Sequence, residues 1–312
     1  MKKVIIVSLI AALLFPLYAQ ESKPLKEVTL NTSWFPQAQY AGYFVAAAKG
    51  FYREKGIKVN FIYSGFGPSV KENLADKKTD FGIMWLHKGL IAHNEHNELV
   101  NIAQFFHDSN ILIVSRQKEI HSIGIWKPFV PFLQAFIHTE LGDSIEIVPV
   151  RDVVVTFVNG AVDAITAMNY NEYNRLINSG VNASDVYVRK VADMGLVLPE
   201  DGLYCRREFY EKNTQLCKDF VEASEKGWNY AFDHVAEGAQ ICLDYVDKTH
   251  HYSNIVLQTM MLKTIKKACG DRFDGLKALE INRDAYEHVN DFLYKKHLIK
   301  SKIPFKQFRE GN

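Results

Sequence analysis

The sequence predicts an α/β protein of two doubly wound lobes joined by a two-strand hinge, with a helical C-terminal part packing on the first lobe. Three observations carry this. From Val28 to about Leu198 short apolar runs alternate with amphipathic stretches, the pattern of strands joined by helices that cover both faces of parallel sheets. Two segments repeat one another: residues 73–83 end a helix, turn and enter a strand through Asp80, and residues 157–165 do the same through Asp163. After Leu203 helical stretches follow one another without further strands.

Residues 1–19 read as a signal peptide. Met1-Lys2-Lys3 is a short basic start, residues 4–17 are an almost unbroken apolar run, and Leu17-Tyr18-Ala19 before Gln20 offers a small-residue cleavage site near Ala19. That run, about 14 residues, falls short of the roughly 20 needed to span a bilayer. No cysteine stands beside the cleavage site to carry a lipid anchor. A soluble, monomeric product in the periplasm is expected. Removing Lys2 and Lys3 takes the Lys and Arg count from 37 to 35 against 36 acidic residues, with no basic stripe, so nucleic acid is not an expected partner. About 293 residues would remain, enough for two packed domains. Cys205, Cys217, Cys242 and Cys269 are scattered and form no CxxC pair; they read as buried free thiols, with one disulfide as the alternative.

Strands are expected over 28–31, 59–63, 81–84, 111–115, 123–126, 145–150, 164–168 and 186–191. Helices fill the intervals over 42–54, 68–75, 88–95, 130–141, 153–159 and 171–178, and continue over 218–232, 236–246, 255–267 and 283–296. The repeated segment implies two similar lobes. The first comprises 20–114 plus 203–312 and the second 115–202, with the chain crossing near 111–118 and returning near 198–205. Asp80 and Asp163 read as turn caps. Open α/β sheets bind ligands beyond the carboxyl ends of their strands, so the cleft between the lobes is the expected site and the crossing strands its hinge.

The residues at those strand ends are unusually aromatic. The first lobe offers Trp34, Phe35, Gln37 and Tyr40, then Ser64 in a glycine-containing loop, then Trp85, Leu86 and His87. The second offers Trp126, Lys127, Pro128 and Phe129, then Asn169, Tyr170, Asn171, Glu172 and Tyr173, with Pro199, Glu200 and Asp201 at the return crossing. Such a cleft suits a flat heterocycle stacked between rings, each stack contributing about 0.5–1.5 kcal/mol beyond burial. Glu200 is the expected carboxylate for an exocyclic amine and ring nitrogen, with Asn169, Asn171 and Glu172 opposite; Pro199-Glu200-Asp201-Gly202 is equally a turn sequence. Trp228, on a helix, reads as core. The Ser64-Gly65-Phe66-Gly67-Pro68-Ser69 loop has the outline of an anion site but also of a plain turn. His93 and His96 lack a third metal ligand nearby, and no nucleophile elbow, Cys–His pattern or Walker loop is present.

Trp34-Phe35-Pro36, the helix start Ala41-Gly42-Tyr43-Phe44-Val45-Ala46, Lys49-Gly50-Phe51-Tyr52, Asp80-Phe81-Gly82 and Pro199-Glu200-Asp201-Gly202-Leu203-Tyr204-Cys205 resemble the family of thiamine-pyrimidine precursor binding proteins. That family includes periplasmic components of aminopyrimidine transporters and the fungal enzyme that makes hydroxymethylpyrimidine phosphate. The resemblance implies a type II periplasmic-binding-protein fold, an ABC permease and ATPase as partners, and a pyrimidine-type ligand such as hydroxymethylpyrimidine or formylaminopyrimidine, destined for thiamine biosynthesis. Two departures bear on catalysis. The fungal synthase has a cysteine cluster before its return crossing, where this chain reads Met194-Gly195-Leu196-Val197-Leu198, and a lysine after the third strand's glycine, where this chain has Met84 and Trp85. Binding without turnover and without a cofactor is the expectation. The alternatives are a pyrimidine synthase using pyridoxal phosphate and iron, a binding protein for riboflavin or another ring, and a sensor lobe presenting its ligand to a receptor.

Overall fold

The computed structural model describes residues 24–65, 67–95, 98–246, 253–270 and 272–309; the expected signal peptide, Phe66 and His96 lie outside these. The described residues form ten strands: β1 (Lys26–Thr32), β2 (Ile57–Tyr63), β3 (Phe81–Met84), β4 (Leu99–Phe106), β5 (Ile111–Ser115), β6 (Ser122–Trp126), β7 (Glu146–Val150), β8 (Ala164–Met168), β9 (Tyr187–Lys190) and β10 (Glu200–Arg206). They assemble into two five-stranded sheets, in the orders β2-β1-β3-β10-β4 and β7-β6-β8-β5-β9. Each lobe is built on one sheet, and helices cover both.

The sheets are mixed rather than parallel. In each, one strand has come from the other lobe: β5 follows β4 directly and runs antiparallel to β8 and β9, while β10 follows β9 and runs antiparallel to β3 and β4. A parallel neighbour needs a crossover helix to bring the chain back, and these two crossings carry no α-helix, only the 3-10 turn Ala192–Met194 in the second. The expectation of parallel sheets holds only for β1, β2 and β3 and for β6, β7 and β8. The chain changes sheet between Phe106 and Ile111 and again between Lys190 and Glu200. Residues 111–114 therefore pair in the second lobe's sheet and 200–202 in the first's, a few residues from the expected boundaries.

Two strands do not follow from apolar patterning. β4 carries Asn101 and Gln104 inside the core, 1% and 0% exposed, where the Gln104 amide donates to the carbonyls of Phe106 and Glu200. β10 begins with two carboxyl residues and turns through Asp201 at φ 35°, a left-handed backbone that a non-glycine residue rarely adopts. A stretch containing Glu-Asp-Gly reads as a turn, yet pairing on both sides makes it a central strand.

The helices follow the apolar periodicity closely. Helix 42–54 of the sequence reading is two pieces, Ala41–Ala48 and Phe51–Glu54, broken at Gly50 with φ 79°. Ala41–Ala48 lies against Thr214–Asp233 so closely that a Cβ on Gly42 would overlap the Trp228 ring and one on Gly227 the Gly42 carbonyl. Trp228 is core, as its helical position indicates, 1% exposed among Tyr43, Phe105 and Phe106. The repeated aspartates do the same work in each lobe. Asp80 accepts the Thr29 N–H midway along β1 (2.9 Å), and Asp163 accepts those of His121 and Ser122 at the start of β6 (3.0 Å each). All four cysteines are free, three buried and Cys269 half-buried.

Candidate functional site

The lobes meet at the carboxyl ends of β1, β3, β6 and β8, and the meeting is aromatic. Trp85 ends β3 and opens the helix Leu86–Asn94; its ring lies 4.5 Å from that of Phe129, which follows β6 in the other lobe. One turn on, the His87 imidazole stacks on Phe132 at 4.2 Å and 19°. Lys88 sets its ammonium 3.6 Å above the Phe129 ring, a cation–π contact. Burial holds the His87 imidazole well below its ordinary pKa, with Lys88 adding to the effect. Burial likewise pushes Lys88 down to about 8, opposed by the nearby Asp201 carboxyl. Trp126 stands beside Phe129 at 5.9 Å.

Behind the rings a chain of side-chain amides crosses between the lobes. Glu172 accepts from Asn171 Nδ2 (3.1 Å), which also donates to Gln37 Oε1 in the first lobe (3.3 Å). Gln37 Nε2 donates to Gln39 Oε1 (2.6 Å), and Gln39 Nε2 to Asp201 Oδ2 (2.6 Å). Every member is at least nine-tenths buried. The chain thus ends in a carboxyl on each lobe. Burial raises both: Glu172 to about 7, resisted by the Met168 N–H, and Asp201 to about 7, resisted by Gln39. Gln258, from the helix Ile255–Cys269, steadies the loop by accepting the Ala38 N–H at 2.6 Å.

Three buried atoms at this junction have no hydrogen-bond partner among the described residues: Asp201 Oδ1, beside the Trp85 side chain, and His87 Nδ1 from the first lobe, and the Tyr170 hydroxyl from the second. Burial, and then the carboxyls of Glu200 and Asp201, keep the Tyr170 phenol protonated, so it is available as a donor. Leaving such a group buried and unpaired costs about 1–3 kcal/mol.

The expected site residues divide accordingly. Trp85, Trp126, Tyr170 and Glu172 stand at the junction. Asn169 is half-buried beside the hinge, its N–H donating to the Asn110 carbonyl (2.9 Å). Trp34 and Phe35 are half-buried and edge-on to each other at 5.4 Å; the missing side chain of Gly65, at φ 48°, makes room for the Phe35 ring. Tyr40 and Ser64 lie inside lobe one, a correction to the expected cleft wall. Tyr40 is fully buried with its hydroxyl against Ser33 Oγ (2.9 Å), and Ser64 joins Asn31, which in turn accepts from Asn73 (2.8 Å). Glu200 is also displaced from its expected role. Its carboxyl, fully buried, takes the Asn110 N–H (2.7 Å), Asn110 Nδ2 (3.3 Å) and Ser109 Oγ (3.5 Å), pinning one crossing segment to the other. The anion reading of the glycine loop fails for a similar reason: Ser69 and Glu72 cap the following helix reciprocally, so a carboxylate already sits there. His93 is held by the Leu99 carbonyl (2.9 Å), and no group of three or more potential metal ligands occurs among the described residues. Gln39, Lys88 and Gln258 carry no sequence signal of their own; Gln37-x-Gln39 in an aromatic loop is the nearest to one.

Two α/β lobes, each receiving one strand from the other and meeting in a buried aromatic and polar junction, define the periplasmic-binding-protein fold. The ligand-binding component of an ABC-type import system from Staphylococcus aureus superposes with a TM-score of 0.67 at 11% identity, over 91% of this chain and 96% of that one. The desulfurization enzyme DSZB shares the fold, with a TM-score of 0.58 at 13% identity over 90% and 96% of the two chains. The chain belongs to the NMT1/THI5-like family, whose model matches residues 37–237. It is 20% identical to the formylaminopyrimidine-binding protein of Halalkalibacterium halodurans, over 80% of this chain and 81% of that protein. It is 26% identical to the riboflavin-binding protein RibY of Chloroflexus aurantiacus, over 77% and 72%. No helix among the described residues is long and apolar enough to cross a membrane.

Proposed function

We propose that the chain is the extracytoplasmic binding component of an ABC importer, and that its ligand is a pyrimidine-type heterocycle, a thiamine precursor, taken up at the lobe junction. The observation that carries this is a pair of unpartnered buried atoms supplied by opposite lobes, Asp201 Oδ1 and the Tyr170 hydroxyl, close enough for the carboxyl to act on the phenol. A ring bearing both a donor and an acceptor would satisfy one atom of each lobe and recover about 1–3 kcal/mol at each. It would thereby favour the arrangement in which the lobes are together, the state a permease and its ATPase can distinguish from the ligand-free protein. Micromolar affinity requires about 8 kcal/mol net. Two such pairings with aromatic stacking are of the right size after association costs. The names of the two relatives support a nitrogen heterocycle, and the family membership supports the thiamine connection.

The test is calorimetry and thermal shift on the purified mature chain with hydroxymethylpyrimidine, formylaminopyrimidine, thiamine and riboflavin. At least one is expected to bind at micromolar Kd, and both Asp201→Asn and Tyr170→Phe to weaken it at least tenfold with an unchanged far-UV spectrum. Absence of any shift across the panel overturns the reading. Product formation from a bound ring would replace it with catalysis, which the fold also hosts.

A further inference from the structure

We infer that a groove flanking the junction is a second part of the same binding site, and that it takes a neutral, hydroxyl-rich arm carried by the ring. This rests on the reading of a ring at the junction. The groove, of about 550 Å³, is walled by three parts of the molecule: Gln37 from the first lobe, Asn171 and Asn178 from the second, and Ser253 and Gln258 at the helix Ile255–Cys269. Its inner wall includes the Asn171–Gln37 bond that joins the lobes (3.3 Å), so it opens directly onto the amide chain leading to Asp201. The volume lies within the range of sites for drug-sized ligands. It is several times what one six-membered ring fills.

The chemistry of the walls selects the arm. The groove's two charged residues cancel one another. Arg175 donates to Asp152 Oδ2 at 2.7 Å, while Asp152 Oδ1 accepts the N–H groups of Val154 (3.0 Å) and Val155 (3.2 Å). A phosphate or sulfonate entering here would have to break that ion pair to gain the guanidinium, and would meet the Asp152 carboxylate as it did so. What remains is carboxamide and hydroxyl, groups that both donate and accept and therefore match alcohols; Gln37, Ser253 and Gln258 are tied into bonds of their own, which leaves the Asn178 amide to meet the arm. The Asn178 side chain is exposed and forms no hydrogen bond among the described residues. Val154, Val155 and Leu257 supply an apolar strip for the carbon chain of such an arm.

Two matched series test this by calorimetry on the mature chain: cytosine, cytidine and cytidine monophosphate, and lumichrome, riboflavin and riboflavin monophosphate. In any series whose ring binds, the hydroxylated arm is expected to tighten binding at least tenfold and its phosphorylation to remove the gain. Asn178→Leu is expected to reduce that gain several-fold and leave the affinity of the bare ring unchanged. Equal affinity with and without the arm, or tighter binding of the phosphate, overturns the inference while leaving the ring at the junction intact. Failure of every compound in both series overturns this inference, while the ring reading stands or falls on the hydroxymethylpyrimidine and formylaminopyrimidine titrations above.

Discussion

Asp201 and Glu200 show how far single residues are legible. The sequence marks the pair as a carboxylate position at the return crossing but assigns the cleft to Glu200. Neighbours on a strand point to opposite faces, and without recognising β10 as a strand there is no way to say which face is which. In the structure Glu200 turns to Asn110 and Asp201 to Gln39. Glu172 was legible because it opens a helix directly after β8, and its burial makes a pH prediction. Its folded pKa, about 7, stands above the ordinary 4.5. The folded state therefore holds a proton that the unfolded chain releases first, and the stability tied to that proton is present below pH 4.5 and lost as pH rises through 7. The loss is on the order of 3 kcal/mol. Glu172→Gln cannot ionise, so its urea midpoint is expected to gain on the wild type steadily between pH 4.5 and 7.5. A constant difference across that range would show that Glu172 titrates normally.

At the scale of elements, helices were read from periodicity to within a few residues, because an apolar stripe every three or four positions depends only on local geometry. β4 and β10 were not, because their buried polar residues are satisfied by partners remote in sequence. Gln104 looks like a surface residue until Glu200 supplies its carbonyl, and Asn101 in turn donates to the Gln104 side chain. The contact between Ala41–Ala48 and Thr214–Asp233 is a further element invisible to patterning, since Gly227 on a helix normally signals weakness, not fit. Here it admits the Gly42 carbonyl. Gly227→Ala, which would raise helix propensity by ~1 kcal/mol on an isolated helix, is expected instead to destabilise the protein by about 1–3 kcal/mol through overpacking. The midpoint of urea denaturation at fixed pH decides the sign.

For the whole molecule, the two-lobed plan was evident from the duplicated Asp80 and Asp163 segments, whereas the contact between lobes was not, since Trp85, Phe129, His87 and Phe132 come from strand ends about forty residues apart whose approach depends on the hinge. That contact joins these rings to the Gln37–Asn171 hydrogen bond, and a substitution in the rings tests how much of it they supply. Phe129→Ala removes the ring that faces both Trp85 and the Lys88 ammonium. Each lobe keeps its own sheet, so the expected result is a larger radius of gyration by solution X-ray scattering with the cooperative thermal transition retained. Lys88 reports the same event independently. Its pKa is about 8 when buried, against the ordinary 10.5, so in the wild type the associated stability is full above pH 10.5 and lost as pH falls through 8. Exposing the amine to water should return its pKa toward 10.5 and flatten that dependence, which NMR titration of the lysine side chain measures. A Lys88 that still titrates near 8 in an opened Phe129→Ala protein would mean that the first lobe alone desolvates it, and that the rings hold the lobes together without the help of its charge.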